Sequence, residues 1–201
     1  MGSARKAGGY AVNALIKARI SESIKVKELM LADEALLIQL EMLATDCLTA
    51  LLSGGKIIFA GNGGSFADAQ HLSAEFTSRF LFDRAPLPSL ALGTNSSAIS
   101  AIGNDYGYDQ VFSRELRGIA QPHDVFIGIS TSGNSLNIVR AVEAAVESGI
   151  RTVVLTGQRG GVIAAFCECL HVPSSDTPRI QECHILLGHI LCELVEAKFH
   201  G

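Results

Sequence analysis

Charged residues are scarce in this chain, and basic residues are not in excess. Charged side chains make up 18% of the sequence and hydrophobic ones 48%. So apolar a composition predicts that part of the surface is buried between subunits. The formal net charge of −4 leaves no basic stripe, so we expect no nucleic-acid partner. A small anion held by local hydrogen-bond donors remains compatible with this balance.

Targeting and membrane signals are also missing. Residues 1–6 lack the apolar run and cleavage site of a signal peptide, so we expect the chain in the cytoplasm. The longest uncharged stretch, residues 85–104, contains prolines and glycines, and we expect no membrane span. The five cysteines are odd in number, and Cys167 and Cys169 are too closely spaced for a zinc ribbon. They are predicted to be reduced, mostly buried thiols without a catalytic role.

Length and patterning predict a single α/β structural domain. The 201 residues suit one hydrophobic core. Between residues 10 and 53 apolar residues recur at helical spacing, which predicts two helices broken near Ala32 and Asp33. We therefore divide the chain into an N-terminal helical segment, 1–54, and an α/β part, 55–201, whose last helix covers 178–199.

The α/β part is predicted to be a doubly wound, five-stranded parallel sheet flanked by helices. Its short apolar runs are typical of strands buried on both faces of such a sheet. The five predicted strands are residues 56–60, 89–92, 124–129, 151–156 and 168–172.

A glycine-rich loop, Gly61-Asn62-Gly63-Gly64-Ser65, follows the first predicted strand and precedes a helix predicted over residues 66–80. Three glycines in four residues let the backbone approach a ligand, and free amides at a helix start favour an anion. Ser65 and Asp68 fit a capping box. The spacing matches neither the dinucleotide fingerprint nor the P-loop. A tight turn without a ligand is the alternative.

A hydroxyl-rich loop, Ser130-Thr131-Ser132-Gly133-Asn134-Ser135, follows the strand at 124–129 and precedes a helix predicted over residues 136–147. Hydroxyls and backbone amides at a helix start can bind a phosphate dianion without lysine or arginine. Serines are also ordinary helix caps. Two such loops at the carboxyl ends of parallel strands, where open α/β sheets bind ligands, favour the binding function.

Two helices carry further candidate residues. His71 and Glu75 are four residues apart and share one helix face, which suits a metal pair or an exposed salt-bridge row. On the last helix, Gln181 and His189 are eight residues apart, about 12 Å along the axis, so only long side chains could share an ion. Alternatively the two act separately or on different subunits. His184 points elsewhere and is predicted to be a packing or surface histidine.

These motifs together resemble the sugar-isomerase (SIS) domain family, in particular its bacterial phosphoheptose isomerase branch. The resemblance runs from about residue 30 to the end of the chain. The matching segments are Gly61–Ser65, Asp68–His71, Gly103–Gly107, Ser130–Ser135, Leu155–Gly157 and Arg179–Glu182.

The resemblance implies a homotetramer with helices packed at its centre and active sites at subunit interfaces. It also implies one zinc ion per subunit, bound by His71, Glu75, Gln181 and His189. The resemblance further implies that the sugar phosphate is bound by Asn62, Gly63, Gly64, Glu75, Asn104, Asp105, Ser130, Thr131, Ser132, Ser135 and Gln181.

The implied reaction converts sedoheptulose 7-phosphate to D-glycero-D-manno-heptose 7-phosphate for lipopolysaccharide core or capsule. We expect Glu75 to act as the base and His189 as its acid/base partner. Three alternatives remain: a non-catalytic binding protein of the same family, a transcriptional sugar phosphate sensor, and an isomerase of another sugar phosphate. The complete His-Glu-Gln-His set opposes the first, and the absence of a basic N-terminal domain opposes the second.

Overall fold

The computed structural model describes residues 3–200, and side chains from Val12 to Phe199. Two long helices come first, α1 over Ser3–Leu31 and α2 over Glu34–Leu52. The predicted break between them is confirmed. Asp33 ends the first helix and caps the second, because its Oδ1 accepts a hydrogen bond of 3.1 Å from the Leu36 amide.

Five parallel strands form one sheet, as predicted. They are β1 over Ile57–Gly61, β2 over Ser89–Ala91, β3 over Val125–Ser130, β4 over Arg151–Gly157 and β5 over Glu168–Val172. Their order across the sheet is β2-β1-β3-β4-β5. β1, β3 and almost all of β4 are buried, which explains their near-continuous apolar composition.

Helices cover both faces of the sheet. The α-helices that follow α1 and α2 are α3 over Gly64–Thr77, α4 over Ser96–Tyr106, α5 over Val111–Ile119, α6 over Leu136–Glu147 and α7 over Thr177–His200. Helices α2, α3 and α7 bury apolar side chains on one face, and α5 and α6 on the other. The predicted α/β architecture is therefore confirmed.

Helix α2 is, among the described residues, the one helix whose length and composition would allow it to cross a membrane. One face of α2, including Leu36, Leu40, Leu43 and Cys47, is buried in the same apolar cluster as the sheet. Burial of that kind is typical of the core helix of a globular protein.

The five cysteines are free thiols, and Cys47, Cys169, Cys183 and Cys192 are buried. Burial raises the pKa of the Cys47 thiol far above its usual range. It also raises the pKa of Cys192 to about 12, and the nearby Glu75 charge adds to that effect. Neither thiol is a ready nucleophile, because the thiolate is the reactive form.

Candidate active site

The two candidate loops meet where the strand order reverses. β1 pairs with β2 on one side and with β3 on the other, and Gly61 at the end of β1 lies beside Ile129 of β3. The chain leaves these two strands in opposite directions across the sheet. A crevice therefore opens at their carboxyl ends, which is the usual ligand position in open α/β sheets.

The predicted capping box at the start of α3 is wrong. The N-cap is Gly63, which makes no side-chain capping bond, and Ser65 is a buried residue inside the helix. Helix α3 thus begins two residues earlier than predicted. Its start faces Gln181 of α7, since a Cβ on Gly64 would lie 2.6 Å from Gln181 Nε2. The glycine lets the Gln181 side chain approach the helix start closely.

A pair of asparagines joins the two loops. Asn62 Nδ2 donates to Asn137 Oδ1 at 2.8 Å, and Asn137 Nδ2 donates to Asn62 Oδ1 at 2.9 Å. Asn137 is buried in the first turn of α6. The pair fixes the glycine-rich loop relative to the hydroxyl-rich loop.

The hydroxyl-rich loop bonds partly to itself, because Ser130 Oγ donates to Ser135 Oγ at 3.5 Å and Ser132 Oγ accepts from the Asn134 amide at 3.1 Å. Ser135 is the N-cap of α6 but makes no side-chain capping bond. The Gly133 amide donates to Ser130 Oγ at 3.2 Å, which curls the loop. Thr131 and Ser132 line a cleft of about 270 Å³. A helix start preceded by hydroxyls that line a cleft can receive an anion.

His71, Glu75 and His189 form one cluster. Their ligand atoms all lie within 4.8 Å of one another. His71 Nε2 is 2.9 Å from His189 Nε2 and 3.3 Å from Glu75 Oε1. Two imidazole nitrogens and a carboxylate converging on one point are a donor set that suits zinc. The His71 side chain is 48% exposed, so the cluster lies open at the surface of the chain.

Asp68 is a neighbour of this cluster. Its Oδ2 is buried without a hydrogen-bond partner among the described residues. Burial raises the pKa of the Asp68 carboxyl, and the charges of His71 and His189 oppose that shift. A carboxylate next to two imidazoles adds negative potential to the site.

Asn104 and Asp105 lie apart from the other candidates, near the end of α4. Both are exposed, and Asn104 Nδ2 donates to Asp105 Oδ1 at 2.8 Å. In the described part of the chain, no hydrogen bond joins them to the loops or to the His71 cluster. Within one copy, the described residues therefore do not hydrogen-bond these two side chains to the remaining candidates.

His184 is a core residue, which agrees with one of the two predicted roles. It is fully buried, and neither ring nitrogen has a hydrogen-bond partner among the described residues. Burial lowers its pKa to about 4. A neutral imidazole in the core is consistent with packing rather than proton transfer.

This burial predicts acid sensitivity. Unfolded histidine titrates near 6.5, so the unfolded state takes up the proton first as the pH falls. We expect stability to be full above pH 6.5 and to fall by up to about 3 kcal/mol towards pH 4. Urea unfolding of the wild type and His184→Leu at both pH values checks this. An equally steep decline in the variant would show that other groups cause it.

Sequence reasoning missed two residues beside the candidates, Asn137 and Phe80. The Phe80 ring stacks on His189, with centroids 5.7 Å apart and an interplanar angle of 27°. Both contacts join residues far apart in the chain. No local pattern signals such a pairing, because helical and strand periodicity report only which face of one element is buried.

Comparisons with known proteins agree with this geometry. Residues 24–157 match the family model described as SIS domain. The phosphoheptose isomerase of Aneurinibacillus thermoaerophilus is 56% identical over 186 residues, which cover 92% of this chain and 94% of that protein. The phosphoheptose isomerase of Sulfurimonas denitrificans is 50% identical over 187 residues, covering 92% and 96%. A solved phosphoheptose isomerase from Neisseria gonorrhoeae superposes with a TM-score of 0.85 at 42% identity, covering 92% and 99%.

The chain therefore belongs to the SIS domain family. Its similarity over nearly the full length of these relatives places it within the family among the phosphoheptose isomerases, which are enzymes.

Proposed function

We propose that this chain isomerises sedoheptulose 7-phosphate to D-glycero-D-manno-heptose 7-phosphate. The observation that carries the proposal is the convergence of His71, Glu75 and His189 on α3 and α7, the two helices that also bring Gln181 against the glycine-rich loop. Relatives half identical to this chain are named phosphoheptose isomerases, which supports a heptose phosphate rather than another sugar phosphate.

The phosphate would bind at the start of α6. Ser130, Thr131, Ser132 and Ser135 supply hydroxyls there, with the helix dipole favouring a dianion. Asn62, Gly63 and Gly64 would contact the sugar through the glycine-rich loop, which the Asn62–Asn137 pair holds in register. Neutral donors suffice for this task, which agrees with the low positive charge of the chain.

The reaction moves a proton between C1 and C2 of the sugar. Glu75 would remove the proton from C1 of the ketose, giving an enediol, and return it to C2. His189 would move protons to and from the sugar oxygens. The two side chains belong to one cluster, so they would serve adjacent atoms of one substrate.

The same residues fit a metal. His71, Glu75 and His189, with Gln181 as the fourth residue, would hold zinc. Zinc bound there would polarise the sugar carbonyl or order the site. A carboxylate that binds metal is a weaker base, so Glu75 would act as the base most effectively when it is weakly bound or released.

We also propose that the enzyme is a cytoplasmic homotetramer with active sites at subunit interfaces. Helices α1 and α2 expose apolar side chains that a partner subunit would cover: Leu15, Ile16, Ile20, Ile24, Ile38 and Met42 are each more than half exposed. The open position of the His71 cluster and the separation of Asn104 and Asp105 support a site completed by a neighbour. Segment 1–54 would then serve oligomerisation, beside the domain at 55–201.

The product would enter the synthesis of nucleotide-activated heptose for lipopolysaccharide core or capsule. Turnover of sedoheptulose 7-phosphate, compared with six- and five-carbon ketose phosphates, tests the proposed substrate. We expect the heptulose phosphate to give the highest kcat/KM, chelation to abolish most turnover, and added zinc to restore it. Preference for a shorter sugar would overturn the substrate, and full activity after complete metal removal would overturn the role of zinc.

A further inference from the structure

An ion pair is buried next to, but outside, the proposed catalytic cluster. Arg84 lies in the segment after α3, and Glu196 lies on α7, seven residues after His189. Arg84 Nε is 2.8 Å from Glu196 Oε1, and the two side chains are 3% and 1% exposed. Two charges are stable in such a place only when their remaining polar atoms are bonded as well.

Glu196 binds the backbone of the segment that follows α3. Its Oε1 accepts from the Phe80 amide at 3.0 Å, and its Oε2 accepts from the amides of Leu81 at 2.6 Å and Phe82 at 3.1 Å. Three consecutive amides and one guanidinium therefore converge on a single carboxylate. These charge-assisted hydrogen bonds fix the segment to α7.

Arg84 ties the same segment to the end of α3. Its Nη2 donates to the carbonyl of Glu75 at 2.9 Å, and its Nη1 donates to the carbonyl of Phe76 at 2.9 Å. The ion pair thus links the backbone of Glu75 on one helix to the helix that carries His189.

Phe80 transmits this arrangement to the His189 ring. Its ring stacks on His189 at 5.7 Å, while the His71 ring meets His189 edge-on at 5.1 Å and 74°. The half-buried imidazole contacts both rings, and its Nε2 faces His71. Two ring contacts reduce the alternative rotamers of His189, which is what pre-organises an acid/base group.

We propose that Arg84, Glu196 and Phe80 form a positioning unit for the proposed proton carriers. The ion pair sets the distance between the helices of Glu75 and His189, and Phe80 fixes the orientation of the His189 imidazole. None of the three residues belongs to the groups proposed to bind substrate or metal. The inference rests on the proposed function for its kinetic test, but its orientation test does not.

The kinetic test compares two substitutions of Phe80. Phe80→Tyr keeps the ring and is expected to leave kcat within about threefold, whereas Phe80→Leu keeps apolar volume without the ring and is expected to lower kcat about 10- to 100-fold. KM should change little in either case, because the phosphate loops are untouched. Phe166→Leu makes the same change at an exposed phenylalanine outside this unit, and should behave as wild type.

The orientation test uses the ring-proton NMR signals of the histidines in the purified protein, with His189→Gln assigning the signal. Loss of the Phe80 ring current shifts the His189 signal by itself, so orientation is read from the nuclear Overhauser contacts between the ring protons of His189 and His71. Phe80→Leu should weaken these contacts and Phe80→Tyr should keep them, while the signal of the exposed His123 stays unchanged. Glu196→Gln keeps the Phe80 ring and should shift the His189 resonance if it folds, and the Phe80 variants decide the matter if it does not. Wild-type kcat and unchanged contacts between the His189 and His71 rings in folded Phe80→Leu would overturn the proposal. Absence of turnover in the wild type, with the expected NMR changes, would instead count against the proposed function alone.

Discussion

Replacement of Glu75 by glutamine is expected to lower kcat by about 10²- to 10⁴-fold, the range that a positioned general base contributes. Glutamine keeps the shape of the side chain but cannot accept the C1 proton. Glu75 is partly buried and lies 3.3 Å from His71 Nε2, so its carboxylate belongs to the cluster rather than to the core. Folding should therefore be nearly unaffected.

The measurement is steady-state turnover at saturating zinc, because the amide is also a poorer metal ligand than the carboxylate. Glu147→Gln is the matched control, since Glu147 pairs with Arg117 on the surface, with side chains 67% and 51% exposed. Such an exposed pair contributes little. Wild-type kcat in Glu75→Gln would remove Glu75 from the role of base.

The second large effect is expected at Gly133. This residue has a φ of +63°, and a Cβ there would lie 1.8 Å from the Gly160 carbonyl oxygen and 3.0 Å from the Gly161 nitrogen. Alanine would meet the left-handed backbone penalty of about 1–2 kcal/mol and an overpacking cost of about 1–3 kcal/mol. Because the obstacle is backbone, the hydroxyl-rich loop must move, and we expect phosphate binding to be largely lost with it.

Gly149 provides the matched control for this substitution. Its φ is +70°, but a Cβ there would have no heavy atom within 4 Å. Gly149→Ala therefore carries the conformational penalty without the clash. Urea unfolding and KM of both variants separate the two effects. If Gly133→Ala matched Gly149→Ala in stability and KM, the close packing of the loop against Gly160 would be unimportant.

The sheet could be predicted from the sequence because its signal is local. Each strand is a short apolar run, and the glycine and serine clusters mark where the strands end. Local patterning also predicted the break between two helices near Ala32 and Asp33. Both loops were predicted at the carboxyl ends of parallel strands, and the structure adds that these strands, β1 and β3, are neighbours.

The remaining features depend on packing between distant segments. Ser65 fits a capping box by spacing, yet the close approach of Gln181 to Gly64 accompanies a helix that begins earlier. Helix α4 was not among the predicted helices; it buries none of its residues fully and packs only Ile99 and Ile102 partly against the core. Phe80 stacks on His189 in a segment whose amides bond to Glu196, and no sequence pattern encodes either contact.

The most direct test of the central claim is conversion of sedoheptulose 7-phosphate by the zinc-supplied protein in deuterated water, followed by NMR. Carboxylate-bound protons exchange with solvent, so proton transfer by Glu75 predicts an aldose phosphate that carries deuterium at C2. A folded, zinc-supplied protein that forms no aldose phosphate would contradict the account.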